Sequence, residues 1–284
     1  MDNNSKITLA EKCEAMKAST NYIVEPNTYL ILHLDGRGFS KRIKKVFKRP
    51  FDEKFVDAMN ETMLYLLKNI QGALIGYVQS DEITIILSDK SDDQTKLLSP
   101  FFNYRLNKIQ SISASMCGAK FNRIMFSYLL DEVFSEAFDT IGCQTRVNEI
   151  CNTAPLYSFD CKAFPAKEYN DAYCWLLYRK RDCIKNSCSQ VAQTYIPHKK
   201  LVGLHSEERI ELLKKEKGID WYEDYPDGLK YGRFGVYTNK TLKNEDDIEY
   251  ERNVWELKEG KLINDGDFKD YIINQIRRRE IKTE

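Results

Sequence analysis

Residues 73–87, ALIGYVQSDEITIIL, constrain the fold most: two short apolar runs flank Gln79-Ser80-Asp81-Glu82. Such a pattern reads as a tight β-hairpin with polar residues at its tip. Upstream, Thr28 to Leu34 (TYLILHL) is rich in apolar and β-prone residues and stops abruptly at Asp35-Gly36-Arg37-Gly38, which reads as a strand followed by a turn. Between these segments Asp52 is placed to cap a helix in which Phe55, Met59, Met63, Leu66, Leu67 and Ile70 recur at helical spacing. Gly72 stands where a helix-ending glycine belongs.

Ser99-Pro100 supplies a cap and a first-turn proline for a second long helix, with Phe102, Leu106, Ile109, Ile112 and Met116 on one face. Leu156 to Phe164 is strand-like. The order β, α, β, β, α and a further strand predicts an α+β fold: a ferredoxin-like palm, an antiparallel sheet with helices on one face. Glu168 to Tyr195 and Ser206 to Lys217 read as helices, and Phe234 to Thr238 with Val254 to Lys258 as a hairpin. A soft boundary near residue 165 divides a palm-like region, 1–165, from a helical and hairpin region, 166–284, and the two also fit one compact unit.

Forty-three basic residues balance 43 acidic ones, so nucleic acid would have to meet a local patch rather than bulk charge. Eight cysteines without a C-x-x-C pair, and three histidines, argue against a structural zinc. No apolar stretch approaches the length of about 18 residues that a membrane span needs. Thiols without a secretory signal point to a cytoplasmic protein.

Asp35 ends the first strand and Asp81 sits at the hairpin tip, so both carboxylates can converge at one end of the sheet. Each alone has an ordinary explanation in turn chemistry. Together they repel unless a cation neutralises them, and hard oxygen ligands suit magnesium, making the pair a candidate two-metal site for phosphoryl or nucleotidyl transfer. Glu82 reads either as a third ligand or as an ordinary exposed carboxylate, the latter being preferred. Gly36, Arg37, Gly38, Phe39 and Ser40 follow Asp35, where glycines let backbone N–H groups approach a triphosphate; no P-loop pattern is present.

Six of the nine residues from Lys41 to Arg49 are basic, and Arg105 and Lys108 lie one helical turn apart. Beside a metal site, phosphate binding outweighs the alternative of a solvated face. Arg179, Asp182 and Asn186 share one helix face, where a polar site and a surface ion pair are equally good readings. Trp221, Tyr222 and Tyr225 have the chemistry to stack on bases, although loop aromatics more often pack on their own domain.

The segments LDGRGFS (34–40), RPFDE (49–53), GYVQSDEITIIL (76–87), FFNYRLNKIQSISAS (101–115), FDCKAF (159–164) and R-x-x-D-x-x-x-N-S (179–187), in this order and spacing, resemble the tRNA(His) guanylyltransferase superfamily. The similarity runs from about Leu9 to Gly232. It implies a 3′-to-5′ nucleotidyltransferase in which Asp35, the Gly36 carbonyl and Asp81 hold two magnesium ions. It further implies that Gly36 to Ser40 with Ser80 hold nucleotide, and that Arg49, Arg105, Lys108 and Lys162 contact triphosphate or the tRNA 5′ end. Arg179, Asp182, Asn186, Ser187 and Lys230 are weaker candidates for tRNA or nucleotide contacts.

The chemistry implied by the resemblance has two steps. A tRNA 5′-monophosphate attacks the α-phosphate of ATP and releases pyrophosphate; the 3′-hydroxyl of GTP, or of a nucleotide selected by pairing, then attacks the activated phosphate and expels AMP. Ile184-Lys185-Asn186-Ser187 stands where eukaryotic members carry H-I-N-N, which favours the bacterial and archaeal-type branch that repairs truncated tRNA 5′ ends. His33 and Lys162 replace two arginines usual in the family, each by a residue able to carry positive charge. A homodimer or homotetramer is expected. A palm nucleotide cyclase or small-molecule nucleotidyltransferase, and a non-catalytic RNA-binding protein, are the competing readings.

Overall fold

A computed structural model describes residues 7–39, 46–90, 100–136, 140–243, 247, 249–260 and 265–281. Ser40, the stretch 41–45 of the basic run and Ser99 lie outside the described residues. Six strands, β1 (Tyr29–Gly36), β2 (Ala73–Gln79), β3 (Glu82–Leu87), β4 (Phe159–Ala166), β5 (Arg233–Lys243) and β6 (Glu249–Glu259), form one antiparallel sheet in the order β4-β1-β3-β2-β5-β6. The 73–87 hairpin forms as the pattern requires. The second hairpin pairs Phe234 with Lys258 and Thr238 with Val254.

Burial on both faces explains why β1 is apolar almost throughout. Leu30, Leu32 and Leu34 point to one face, where α2 (Glu53–Asn69) and α3 (Leu106–Glu136) pack. The α2 cap is Asp52, whose Oδ1 accepts the Phe55 N–H at 3.0 Å and whose Oδ2 accepts the Lys48 N–H at 2.9 Å, so one carboxylate satisfies two otherwise unpaired donors. Tyr29 and Ile31 point to the other face, which α5 (Tyr169–Tyr195) and α9 (Asp265–Ile281) cover with Ala172, Leu176, Phe268 and Ile272. The C-terminal region thus adds two strands and a second layer of helices to the palm.

Two local expectations change. Phe102, Asn103 and Tyr104 take positive φ (49°, 51° and 57°), so the long helix starts at Leu106 and not at the Ser99-Pro100 pair. Its buried row is Ile109, Ser113, Cys117, Phe121 and Ile124; Leu106 and Met116 pack partly buried against the same core, and Ile112 is not part of it. Small Ser113 and Cys117 occupy the i+4 positions that face the sheet. Trp221 packs on its own domain, as loop aromatics commonly do: it is 1% exposed and donates its indole N–H to Ser187 Oγ at 3.1 Å. It closes a third apolar cluster between α5, α6 (His198–Leu201) and α7 (Ser206–Lys217), and so cannot stack on a base.

Candidate active site

The end of β1 and the tip of the β2–β3 hairpin meet. The Gly36 N–H donates to the Asp81 carbonyl at 3.1 Å. A Cβ on Gly36 would lie 2.5 Å from the Phe39 ring and 3.0 Å from Asp81 Cβ, so this junction closes only around glycine. Ser80 at the tip has φ +46°, an uncommon conformation for a residue with a side chain and one that is tolerated mostly at constrained functional turns. Its hydroxyl donates to Asp81 Oδ1 at 3.0 Å.

The electrostatics of the junction are unfavourable to charge. Burial, then the charges of Glu82 and Asp160, raise the pKa of Asp35; both residues pair with Asp35 in register, one on each neighbouring strand. Burial, opposed by its own backbone N–H and assisted by the charge of Asp35, raises Asp81 to about 6. Two half-desolvated carboxylates that destabilise each other form a site that a cation relieves. Among the described residues no group of three or more His, Cys, Asp or Glu gathers around a metal position. The groups that could hold a cation here are the two carboxylates and backbone carbonyls, an oxygen chemistry that fits a hard cation.

Around this centre, Arg37 and Gly38 are exposed, and the Arg37 N–H donates to the Ser158 carbonyl at 2.9 Å. Phe39 is buried among Phe55, Phe121, Tyr157 and Phe159; its ring is core, and only its backbone is on offer to a ligand. Lys162 is exposed on β4, opposite His33 in register. His33 is not the cationic substitute expected from the sequence. Burial and then the charge of Arg179 lower its pKa to about 4, and it sits edge-on to Trp175 with Nδ1 3.4 Å from Thr84 Oγ1.

Glu82 is not an ordinary exposed carboxylate. It accepts from Gln79 Nε2 at 2.7 Å and forms a close ion pair with Arg179, which also reaches Asp182 at 3.0 Å. Asn186 Nδ2 donates to the same Asp182 oxygen at 3.0 Å. The Arg179, Asp182 and Asn186 face therefore ties α5 to the strand that follows Asp81. Lys230 is buried against Asp227 at 3.1 Å and the Tyr222 carbonyl, so its ammonium is turned away from solvent.

Arg105 and Lys108 lie at the wrong end of the sheet for the carboxylates. Arg105 bridges Ile23, and the Val24 N–H donates to the Tyr104 carbonyl at 3.1 Å, just ahead of the start of β1. Asp35 is near the other end of that eight-residue strand, roughly 20 Å away at the rise of an extended chain. The α3 helix runs the length of the sheet, and sequence spacing alone does not reveal which end its basic turn occupies.

Beside the hairpin tip opens a cleft. Phe47, Lys48, Phe51 and Asp52 line it together with Asn186, Ser187 and Gln190 and with Gln79, Ser80, Gly228 and Arg233. Arg49, next to Lys48 in the chain, is exposed. The sequence reading missed Phe47, Phe51, Gln79, Gln190 and Arg233. Gln79 could have been found as the neighbour of Ser80, but a single arginine at the head of a strand carries no signal of its own.

An antiparallel palm whose strand ends bring two acidic residues together beside a glycine-bearing turn defines a nucleotidyltransferase of the polymerase-palm class. The family model described as Thg1, tRNAHis guanylyltransferase, matches residues 11–167, and the chain belongs to that family. A bacterial Thg1-like protein solved in complex with ATP superposes with a TM-score of 0.74 at 28% identity, covering 95% of this chain and 99% of that one. A Thg1-like structure in complex with GTP gives 0.68 at 25%, covering 94% and 98%. The tRNA(His) guanylyltransferase of Neurospora crassa is 25% identical over 76% of this chain and 69% of its own length. An uncharacterized protein of Acanthamoeba polyphaga mimivirus is 28% identical over 84% and 80%.

Proposed function

We propose that this family member is a magnesium-dependent 3′-to-5′ nucleotidyltransferase that adds GTP or templated nucleotides to the 5′ end of tRNA, as 5′-end repair or as guanylylation of tRNA(His), after activation of the 5′-phosphate by ATP. The observation that carries the reading is the junction of Asp35, Gly36 and Asp81. Asp35, the Gly36 carbonyl and Asp81 are the groups that would hold two magnesium ions. When bound, magnesium lowers the pKa of an attacking hydroxyl and neutralises charge on the leaving group.

The chain's own groups supply binding and orientation. Exposed backbone at Arg37 and Gly38, with the Ser80 hydroxyl, lies where a triphosphate reaches the carboxylates. The cleft beside Ser80 takes the base between Phe47, Phe51 and the amides of Asn186 and Gln190, a mostly apolar slot with a few fixed polar groups. Arg49, Arg37 and Lys162 are exposed cations near this end of the sheet and meet RNA phosphate. In the first step a 5′-monophosphate oxygen attacks the α-phosphorus of ATP and pyrophosphate leaves. In the second the 3′-hydroxyl of the incoming nucleotide attacks the 5′ phosphorus, AMP leaves and the hydroxyl proton passes to solvent. The ATP and GTP complexes of bacterial relatives support both nucleotides as substrates, and Asn186-Ser187 supports the repair branch.

Homo-oligomer formation belongs to the same proposal. The ten-residue α1 (Leu9–Ala18) buries no side chain, and a helix this short is marginal unless packed. Leu9, Met16, Tyr22 and Ile23 are exposed around it and fit burial against a second copy. No helix among the described residues is long and apolar enough to cross a membrane. The seven described cysteines are free thiols, which supports a cytoplasmic setting.

The test is incubation of the protein with 5′-truncated and full-length tRNA(His), ATP and each labelled nucleotide. Label enters the truncated RNA with the wild type, and Asp35→Ala or Asp81→Ala abolishes incorporation while circular dichroism stays unchanged. Full incorporation by both variants, or cyclic product from GTP without RNA, overturns the reading.

A further inference from the structure

The edge of the sheet beside Asp35 carries a row of aromatic rings to which neither proposed step gives a part. β4 is the edge strand and pairs, among the described strands, with β1 alone. In that register Asp160 stands opposite Asp35, Lys162 opposite His33 and Phe164 opposite Ile31. One face of the edge thus leads from the acidic junction past a lysine to an aromatic ring, at the two-residue period of a strand. Trp175 of α5 lies against this face, its ring 4.8 Å from that of Phe164 and 5.3 Å from that of His33, edge-on to both. Tyr178, one turn further along α5, has its ring 5.8 Å from that of Trp175.

Phe164 and Trp175 are half-buried, whereas Tyr178 is 58% exposed. An exposed tyrosine is commonly a loose side chain; this one is held. The Arg179 guanidinium lies 5.1 Å from its ring centre and 6.0 Å from that of Trp175, within reach of cation–π attraction. Glu82 and Asp182 fix Arg179 in turn, and Glu82 pairs with Asp35 in register. The row therefore begins next to the junction and continues away from it through Trp175 to Phe164. A ring already immobilised gives up little further entropy when another flat group stacks on it.

Lys162 on β4 and Arg181 on α5 are exposed beside these rings. Flat faces with cations next to them suit a polyanion with unpaired bases. A further protein strand fits poorly, since Pro165, next to Phe164, is the residue type that edge strands use against extension of the sheet. A double helix also fits poorly, because its bases are stacked on one another and offer no free face. With the 5′ end of an acceptor stem at Asp35 and Asp81, the unpaired 3′ nucleotides of the opposite strand leave from that same end of the duplex.

We infer that Tyr178, Trp175 and Phe164 form a stacking shelf for the unpaired 3′ strand of the RNA whose 5′ end is extended, with Lys162 at its phosphates. The inference rests on the nucleotidyltransferase reading of the junction and assigns it a second RNA-binding surface. A stacked tail anchors the open end of the duplex and keeps the first unpaired base, the template for addition, near the carboxylates.

The experiment uses the full-length protein and two acceptor-stem minihelices with the same duplex, the same 5′-monophosphate and a dye in the loop. One carries a single unpaired 3′ nucleotide and the other a longer tail with 2-aminopurine at its third position, so both retain the template base. Fluorescence anisotropy should show the longer tail bound about five- to a hundredfold more tightly, and the 2-aminopurine emission should be quenched on binding. Tyr178→Ala brings the longer RNA toward the affinity of the shorter and restores emission, whereas Tyr178→Phe keeps both properties. A merely structural tyrosine would weaken the two RNAs alike, and that result overturns the shelf. Should Tyr178→Ala fail to fold, the two RNAs and the quenching on the wild type still decide. Equal affinities, or an unquenched tail, overturn the shelf, and label entering both RNAs then leaves the nucleotidyltransferase reading standing. No incorporation and no binding of either RNA overturns both.

Discussion

On the α2 and α3 side of the sheet, Leu30, Leu32 and Leu34 of β1 meet Met59, Met63 and Phe121 in an apolar layer. On the other side, the same strand turns His33 and Asp35 toward Thr84, Glu82, Asp160 and Arg179. One face lowers the free energy of the folded chain by removing hydrocarbon from water. The other raises it at the site end, because burial and like charge disfavour the ionised Asp35 and Asp81. A two-residue period along one strand thus separates the layer that stabilises the fold from the layer proposed to do the chemistry.

Substitutions should pull these layers apart. Asp35→Asn is expected to lower labelled-nucleotide incorporation about a thousandfold or more. The same variant should unfold at higher urea than the wild type at pH 8 without magnesium. Lower stability together with lost activity would mean that Asp35 holds the structure rather than the cation. Conversely, Leu32→Ala is expected to lower stability by about 2–5 kcal/mol, read from the urea midpoint, with nucleotide affinity retained below its melting temperature. An affinity that collapses with the core would show that the two faces are not separable.

The smallest effect is a pH dependence in which two groups oppose each other. Asp81, raised from 3.8 to about 6, binds more protons folded than unfolded between those values, so its contribution falls as pH rises through the window. His33, lowered from 6.5 to about 4, binds fewer protons folded than unfolded, so its contribution rises from pH 4 to 6.5. Between pH 4 and 6 the rise from His33 offsets the fall from Asp81 and from Asp35, whose pKa is also raised, so the wild type should change less than either single variant. Asp81→Asn should uncover a rise, and His33→Gln a fall, each of roughly 2 kcal/mol. Denaturant unfolding across this range measures both slopes, and parallel profiles in all three proteins would remove the opposition.

Local signals carried much of the architecture. The two apolar runs around Gln79 to Glu82, the cap at Asp52 and the helix over Ser206 to Lys217 each depend on residues within a few positions of one another, and each appears where its pattern places it. The convergence of Asp35 and Asp81 followed from strand order, since a β-α-β-β chain sets its first strand beside the hairpin. Patterns were silent where burial decides. Phe39 reads as part of a phosphate-binding turn and is core; Lys230 reads as a contact to nucleotide or tRNA and is enclosed.

By itself, the sequence determined the order of the six strands, the two carboxylates at the strand ends and the family, because these rest on short-range periodicity, turn chemistry and ordered motifs; the helices Thr140–Thr153 and Asp265–Ile281 were not legible in it. Only the tertiary structure decided that Arg105 and Lys108 lie at the far end of the sheet, that His33 is neutral, and that Arg233 enters the cleft beside Ser80. Charge state, and the direction in which a side chain faces a ligand, depend on the dielectric surroundings and neighbours supplied by segments distant in the chain. A one-dimensional pattern does not contain them.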